Sequence, residues 1–102
     1  MRVKIAIPLF KERVSPHFGS SSKFLLVETS ESGICQEVTW DLDGESAMDM
    51  AQRLVALGVN KVVCGGIQYH YKNWLISKGI TVVDNQKGVA REIIRKLLGS
   101  KG

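Results

Sequence analysis

Cysteine is scarce in this chain. There are two, Cys35 and Cys64, far apart in sequence and each in or at the end of an apolar strand. Two buried or reactive thiols in a reducing compartment is a simpler reading than a disulfide staple. There is no CxxC, no HxxxH and no carboxylate–histidine spacing of a closed zinc site. GxSxG, P-loop and paired-carboxylate motifs are equally missing, so the expectation is a protein without catalysis. No run approaches the roughly 18 apolar residues of a membrane span. No charged-then-apolar leader precedes the first strand, so a cytoplasmic protein with no membrane association is expected. Strong charge is lacking too. The formal net charge of +4 suffices to steer an anion but not to argue for nucleic acid. The one basic cluster, Arg91, Arg95, Lys96 and Lys101, reads as a solvated helix face.

What is present is ordinary for a folded protein: 102 residues, 44% apolar and 24% charged, enough for one domain over residues 1–102 with one core. Arg2 to Ile7 runs apolar as a first strand that Pro8 ends. Leu9 to Ser22 is a long, serine-rich loop that holds Ser15-Pro16-His17-Phe18-Gly19. Lys23 to Glu28 and Ile34 to Trp40 form a hairpin around Ser30-Glu31-Ser32-Gly33, with the later strand at a sheet edge. Asp43-Gly44-Glu45-Ser46 opens a first helix with the stripe Ala47, Ala51, Leu54 and Val55, and Gly58 ends it. Lys61 to Cys64 is a fourth strand, Ile67 to Lys78 a second helix stopped by Gly79, and Ile80 to Val83 a fifth strand. Asp84 or Asn85 caps a third helix with the stripe Val89, Ala90, Ile93, Ile94, Leu97 and Leu98, which Gly99 ends.

The order β-β-β-α-β-α-β-α predicts a three-layer α/β/α fold on a five-stranded mixed sheet, order 3-2-1-4-5, with strand 2 antiparallel. The first two helices then lie on one face and the third on the other. In such a sheet the connections leaving strands one and four diverge, and open α/β sheets bind ligands in that crevice. The loop of His17, Phe18 and Gly19 leaves strand one; Cys64-Gly65-Gly66-Ile67 leaves strand four. Paired glycines before a helix let backbone N–H groups approach a ligand at the positive end of the helix dipole.

Each residue has a plainer alternative. His17 is either a ligand or a loop histidine bonded to backbone. Cys64 is either a thiolate favoured by the helix N-terminus or a small buried apolar residue. Gly65 and Gly66 serve either ligand approach or tight packing. His70 faces the crevice or solvent. Met48 and Met50 read as core filling.

The blocks Val3-Lys4-Ile5-Ala6-Ile7-Pro8, Val14-Ser15-Pro16-His17-Phe18-Gly19, Lys23-Phe24, Val62-Val63-Cys64-Gly65-Gly66-Ile67, and Leu75 with Gly79-Ile80 stand in one order along nearly the whole chain. Together they resemble the dinitrogenase iron-molybdenum cofactor biosynthesis family. The resemblance implies a ribonuclease-H-like fold and a small carrier or chaperone, related to nitrogen fixation, of iron-sulfur or iron-molybdenum type clusters. Its His-Phe-Gly motif falls on His17, Phe18 and Gly19, and its Gly-Gly motif on Gly65 and Gly66. Gln68 departs from the pattern, standing where many members have a further glycine. The expected cofactor-binding set is His17, Phe18, Gly19, Cys64, Gly65, Gly66 and Ile67, with His17 and Cys64 as metal ligands. The expected partners are cluster assembly or acceptor proteins, the protein itself being a monomer or weak homodimer. The alternative is a metal-free binding module for an anionic metabolite or a protein partner.

Overall fold

In the computed structural model, which describes residues 3–42 and 44–99, strand β1 (Val3–Phe10) runs through the middle of the sheet. Its alternation explains the place: Ile5, Ile7 and Leu9 bury on one face and Ala6 on the other. After β1 come the two-residue strand β2 (Arg13–Val14), a single 3-10 turn (Phe18–Ser20), and the hairpin of β3 (Lys23–Ser30) and β4 (Gly33–Asp41). Helix α1 (Ala47–Ala56), strand β5 (Lys61–Val63), helix α2 (Tyr69–Ser77), strand β6 (Thr81–Val83) and helix α3 (Ala90–Gly99) complete the chain.

The sheet has six strands rather than five. Five run in the order β4-β3-β1-β5-β6, and β2 pairs back onto the end of β1. β3 is antiparallel to β1 and β4, while β5 is parallel to β1 and β6. The extra strand corrects the reading of Leu9 to Ser22 as one loop. Leu9 pairs with Val14 and Phe10 with Arg13 across a turn at Lys11 and Glu12, with Lys11 at a φ of 59°.

Pro8 does not end β1 but lies inside it, opposite Phe24. Its carbonyl accepts from the Ser15 N–H at 2.9 Å, on the same side as Lys4, whose carbonyl accepts from Asn60 ahead of β5. The β1–β5 ladder stops at Ala6 and Val62, so the N–H that proline lacks falls where no strand needs it.

Two layers of core follow from the two faces. On one, α1 and α2 press Met50, Ala51, Leu54 and Leu75 onto Ala6, Phe24 and Val62. On the other, Ala90 and Ile94 of α3 cover Ile5, Ile7, Val27 and Val63. Helix α1 starts at Ser46, which accepts from the Asp49 N–H at 3.1 Å while Asp49 accepts from the Ser46 N–H. It stops where Gly58 takes a φ of +76°, a conformation that would strain any residue with a Cβ. Lys4, the charged residue inside β1, reaches the end of that helix and donates to the Leu57 carbonyl at 3.0 Å.

Helix α3 begins at Ala90, later than a cap at Asp84 or Asn85 would place it. Asn85 has a φ of 60° and turns the chain instead; Asp84 pairs with Lys72 at 3.2 Å. The segment between β6 and α3 is therefore a loop, and Val89 bridges to Arg13. Of the sequence-derived features, Arg2, Asp43 and Lys101 and the side chains of Cys35 and Leu98 lie outside the described residues.

Candidate functional site

The two segments singled out in the sequence meet. His17 and Gly66 form a parallel bridge, in which the Gly66 N–H donates to the Pro16 carbonyl at 2.7 Å and the Phe18 N–H to the Gly66 carbonyl at 2.8 Å. A third loop joins them. The Asn85 N–H donates to the Gly65 carbonyl and the Gln86 N–H to the Cys64 carbonyl, both at 2.9 Å. Three loops from the carboxyl ends of β1, β5 and β6 are thus tied into one rim. The third is missed by residue type alone, because Asp84 and Asn85 read as a helix start. The turn-prone run Asn85-Gln86-Lys87-Gly88 was the signal for it.

The serines explain how the first loop keeps its shape. Ser15 is 1% exposed and donates its Oγ hydrogen to the His17 carbonyl at 2.9 Å. Ser21 donates to the Phe18 carbonyl at 3.0 Å. Phe18, 1% exposed, anchors the turn in the core, with its ring centroid 6.1 Å from that of Tyr71. The backbone of residue 17 is therefore held from several sides while its imidazole is left outside. His17 is exposed, and its ring makes no hydrogen bond with the described residues.

The glycines serve the junction of the loops. A Cβ on Gly65 would stand 2.4 Å from the Ser15 carbonyl oxygen and 2.8 Å from that of Pro16. On Gly66 it would stand 3.2 Å from the Pro16 oxygen. Their closest neighbours are backbone of the other loop, so bareness here is what lets the two strand ends knit.

A cleft of about 590 Å³ opens on the α1 and α2 side of the bridge. His17, Phe18, Gly19, Gly66 and Ile67 line it, together with Gln68 and Tyr71 of the following helix. Gln68 is the N-cap of α2 but makes no side-chain cap bond, so the first N–H groups of that helix have no side-chain partner at the cap. Among the described residues, His17 is the one that lines the cleft with an imidazole, thiol or charged group. His70 is exposed on the first turn of α2, its ring centroid 4.0 Å from that of Tyr71, and does not line the cleft.

Cys64 corrects the expectation of a thiolate ligand. It lies just beyond β5, is 0% exposed and packs in the core with Ala6, Phe18 and Leu75. Burial, with the Asp84 carboxylate adding to it, pushes the thiol up to about 12, although Lys72 opposes the shift. Desolvation outweighs the helix N-terminus, and residue 64 gives the rim its carbonyl rather than its sulfur. Among the described residues no three histidine, cysteine or carboxylate side chains gather as a metal cage. Among the described residues the side chains that line the cleft offer one imidazole, the neutral Ser20 hydroxyl, Gln68 amide and Tyr71 phenol, and no thiolate, beside backbone N–H groups. That set does not fit a permanently held cluster, which takes four thiolates, but it fits an anion held briefly.

The model of the family described as dinitrogenase iron-molybdenum cofactor matches residues 1–100. Among solved structures, the crystal structure of PH0822 is 25% identical with a TM-score of 0.90, covering 96% of this chain and 90% of that one. The protein MJ0327 of Methanocaldococcus jannaschii is 19% identical with a TM-score of 0.79, over 99% and 92%. The apo form of the orange protein of Desulfovibrio gigas is 21% identical with a TM-score of 0.77, over 96% and 88%. The last two likenesses speak to the fold alone. No curated relative matches the chain.

Proposed function

The chain belongs to the dinitrogenase iron-molybdenum cofactor family, and on that premise we propose that it is a small non-enzymatic carrier of an iron-sulfur or iron-molybdenum type cluster or its precursor. The cargo sits in the cleft between the His17 loop and the Gly66 turn. One observation carries the reading: the bridge between His17 and Gly66 sets a free imidazole at the mouth of a cleft that also holds an uncapped helix start. Such clusters are anionic and sulfur-rich. Backbone N–H groups and the α2 N-terminus favour the charge, and the His17 ring supplies one exchangeable ligand. Phe18, Gly19 and Ile67 shape the walls, and Gly65 and Gly66 hold the rim closed. A single side-chain ligand suits a protein that hands its cargo from an assembly protein to an acceptor. The order of the long strands supports reading the fold as ribonuclease-H-like. Among the described residues no helix is long and apolar enough to cross a membrane.

Anaerobic titration with extracted iron-molybdenum cofactor, and separately with a synthetic iron-sulfur cluster, tests this. Saturable charge-transfer absorption is expected in the wild type. In His17→Ala, binding weakens about tenfold or more, the size of losing one strong polar contact. Cys64→Ala keeps the wild-type titration, because the sulfur does not reach the cleft. Equal binding by wild type and His17→Ala would remove the imidazole from the site.

A further inference from the structure

The bridge between Pro16–His17 and Gly66 has two sides. On the side away from the cargo cleft, toward α3, a second crevice of about 440 Å³ opens, and Gly66 lines both. We propose that this second crevice binds a small phosphate dianion, free or as the phosphate of an ester.

Its charge points there. Arg13 of β2 and Lys87 of the loop after β6 line it from two separate segments, and among the described residues no carboxylate does. Neither cation forms an ion pair among the described residues, whereas Arg53 is paired with Glu45, Lys72 with Asp84 and Arg91 with Glu37. The nearest acidic side chain on that loop, Asp84, is thus engaged elsewhere. The segments that bear the two cations are fixed to each other. The Val14 N–H donates to the Gly88 carbonyl at 2.9 Å and the Ala90 N–H to the Glu12 carbonyl at 3.1 Å, around the Arg13–Val89 bridge. Two uncommitted cations are therefore held on a shared frame, which removes part of the ordering cost of binding.

The donor inventory selects phosphate over a carboxylate. The Arg13 guanidinium offers a two-pronged fork, Lys87 a point charge, and Asn85 an amide whose N–H₂ is not otherwise bonded among the described residues. Gln86 spends one of its two amide N–H groups on the Asp84 carbonyl at 3.1 Å, which holds its side chain against its own loop. Three separate groups match the three terminal oxygens of a phosphate better than the two of a carboxylate. The crevice exceeds the needs of the phosphate alone, and Val14 and Pro16 give it an apolar wall for the organic part of an ester.

The test titrates the full chain, free of cluster, and follows its ¹H–¹⁵N spectrum at constant ionic strength. The probes are inorganic phosphate, glycerol 3-phosphate and, as a dicarboxylate of equal charge, succinate. Saturable shifts are expected at Arg13, Gly65, Lys87 and Gly88 with both phosphates, and much weaker ones with succinate. Arg13→Gln and Lys87→Gln each weaken binding about tenfold, the size of one charge-assisted contact, and the double variant abolishes saturation. Both side chains are exposed, and the unchanged remainder of each variant's spectrum verifies the fold. Shifts that do not saturate, that centre on Arg91 and Arg95, that persist in the double variant or that succinate reproduces would overturn the proposal. No cluster enters this experiment, so its failure leaves the cargo reading standing, and failure of that reading leaves this one intact.

Discussion

The carbonyl oxygen of Ser15 lies 2.4 Å from where a Cβ on Gly65 would be built, closer than real side chains come to backbone. The two residues belong to loops from different strands, and neither can retreat. Ser15 is tied to Pro8 by its N–H and to His17 by its hydroxyl, and the Gly65 carbonyl accepts from Asn85.

Gly65→Ala is therefore expected to force the loops apart and to destabilise the protein by about 1–3 kcal/mol, in the upper half of ordinary single substitutions. Gly66→Ala, with 3.2 Å to the Pro16 oxygen, costs less. Urea unfolding of the two variants measures the order. A Gly65→Ala protein as stable as wild type would mean the loops are not in contact as described.

Cys64 predicts both a reactivity and a pH dependence. Fully buried, with its thiol pushed up to about 12, it stays protonated in the folded protein at pH 8 and resists thiol reagents until the chain unfolds. The ordinary value is 9.0, so between that value and about 12 the unfolded chain has lost a proton that the folded chain still holds. The contribution is fully present below pH 9 and is lost as pH rises toward 12. Denaturation midpoints at intervals from pH 8 upward should fall in the wild type and fall less steeply in Cys64→Ala.

Phe18 fastens the His17 loop to the core. Phe18→Ala is expected to cost about 3–5 kcal/mol, the range for deleting a buried aromatic. Phe18→Leu keeps most of the burial and costs less. Chemical denaturation gives the two losses, and the His17 ring resonances should move in the alanine variant, because the backbone beside them loses its anchor.

The start of α1 rests on a reciprocal pair, Ser46 and Asp49. Ser46→Ala should lower stability by about 1 kcal/mol and Ser46→Gly by only a few tenths, as at other N-caps. Thermal unfolding followed by circular dichroism resolves the difference.

Much of this architecture could be read from residue order, because the informative signals were local. The mixed polarity of Ile34 to Trp40 marked a strand at the sheet edge, and Gly58 and Gly79 marked helix ends where the chain takes positive φ. The meeting of the His17 loop with Gly66 was legible for a topological reason: both leave neighbouring parallel strands at the same end. What misled was residue type taken without its surroundings. Pro8 reads as a strand stop until one knows on which side its missing N–H falls. Asp84 and Asn85 read as helix caps, but the first pairs with Lys72 and the second turns the chain. Cys64 reads as an activated thiol beside a helix, and only packing reveals that its sulfur points into the core. The strand Arg13–Val14 is too short to show any period.

Strand β4 ends the sheet with nine residues and leaves Ile34 and Val38 partly bare, at 46% and 37% exposure. Such a border invites other chains to stack against it. Yet its pairing with β3 slips by one residue between Glu28 and Thr29, with Cys35 as the surplus residue opposite that step. The register is thereby broken near the hairpin tip, and a straight incoming strand finds no continuous template along the whole border. The step thus makes this margin, at the end of the sheet opposite β6, a poorer template for stacking than an unbroken edge would be.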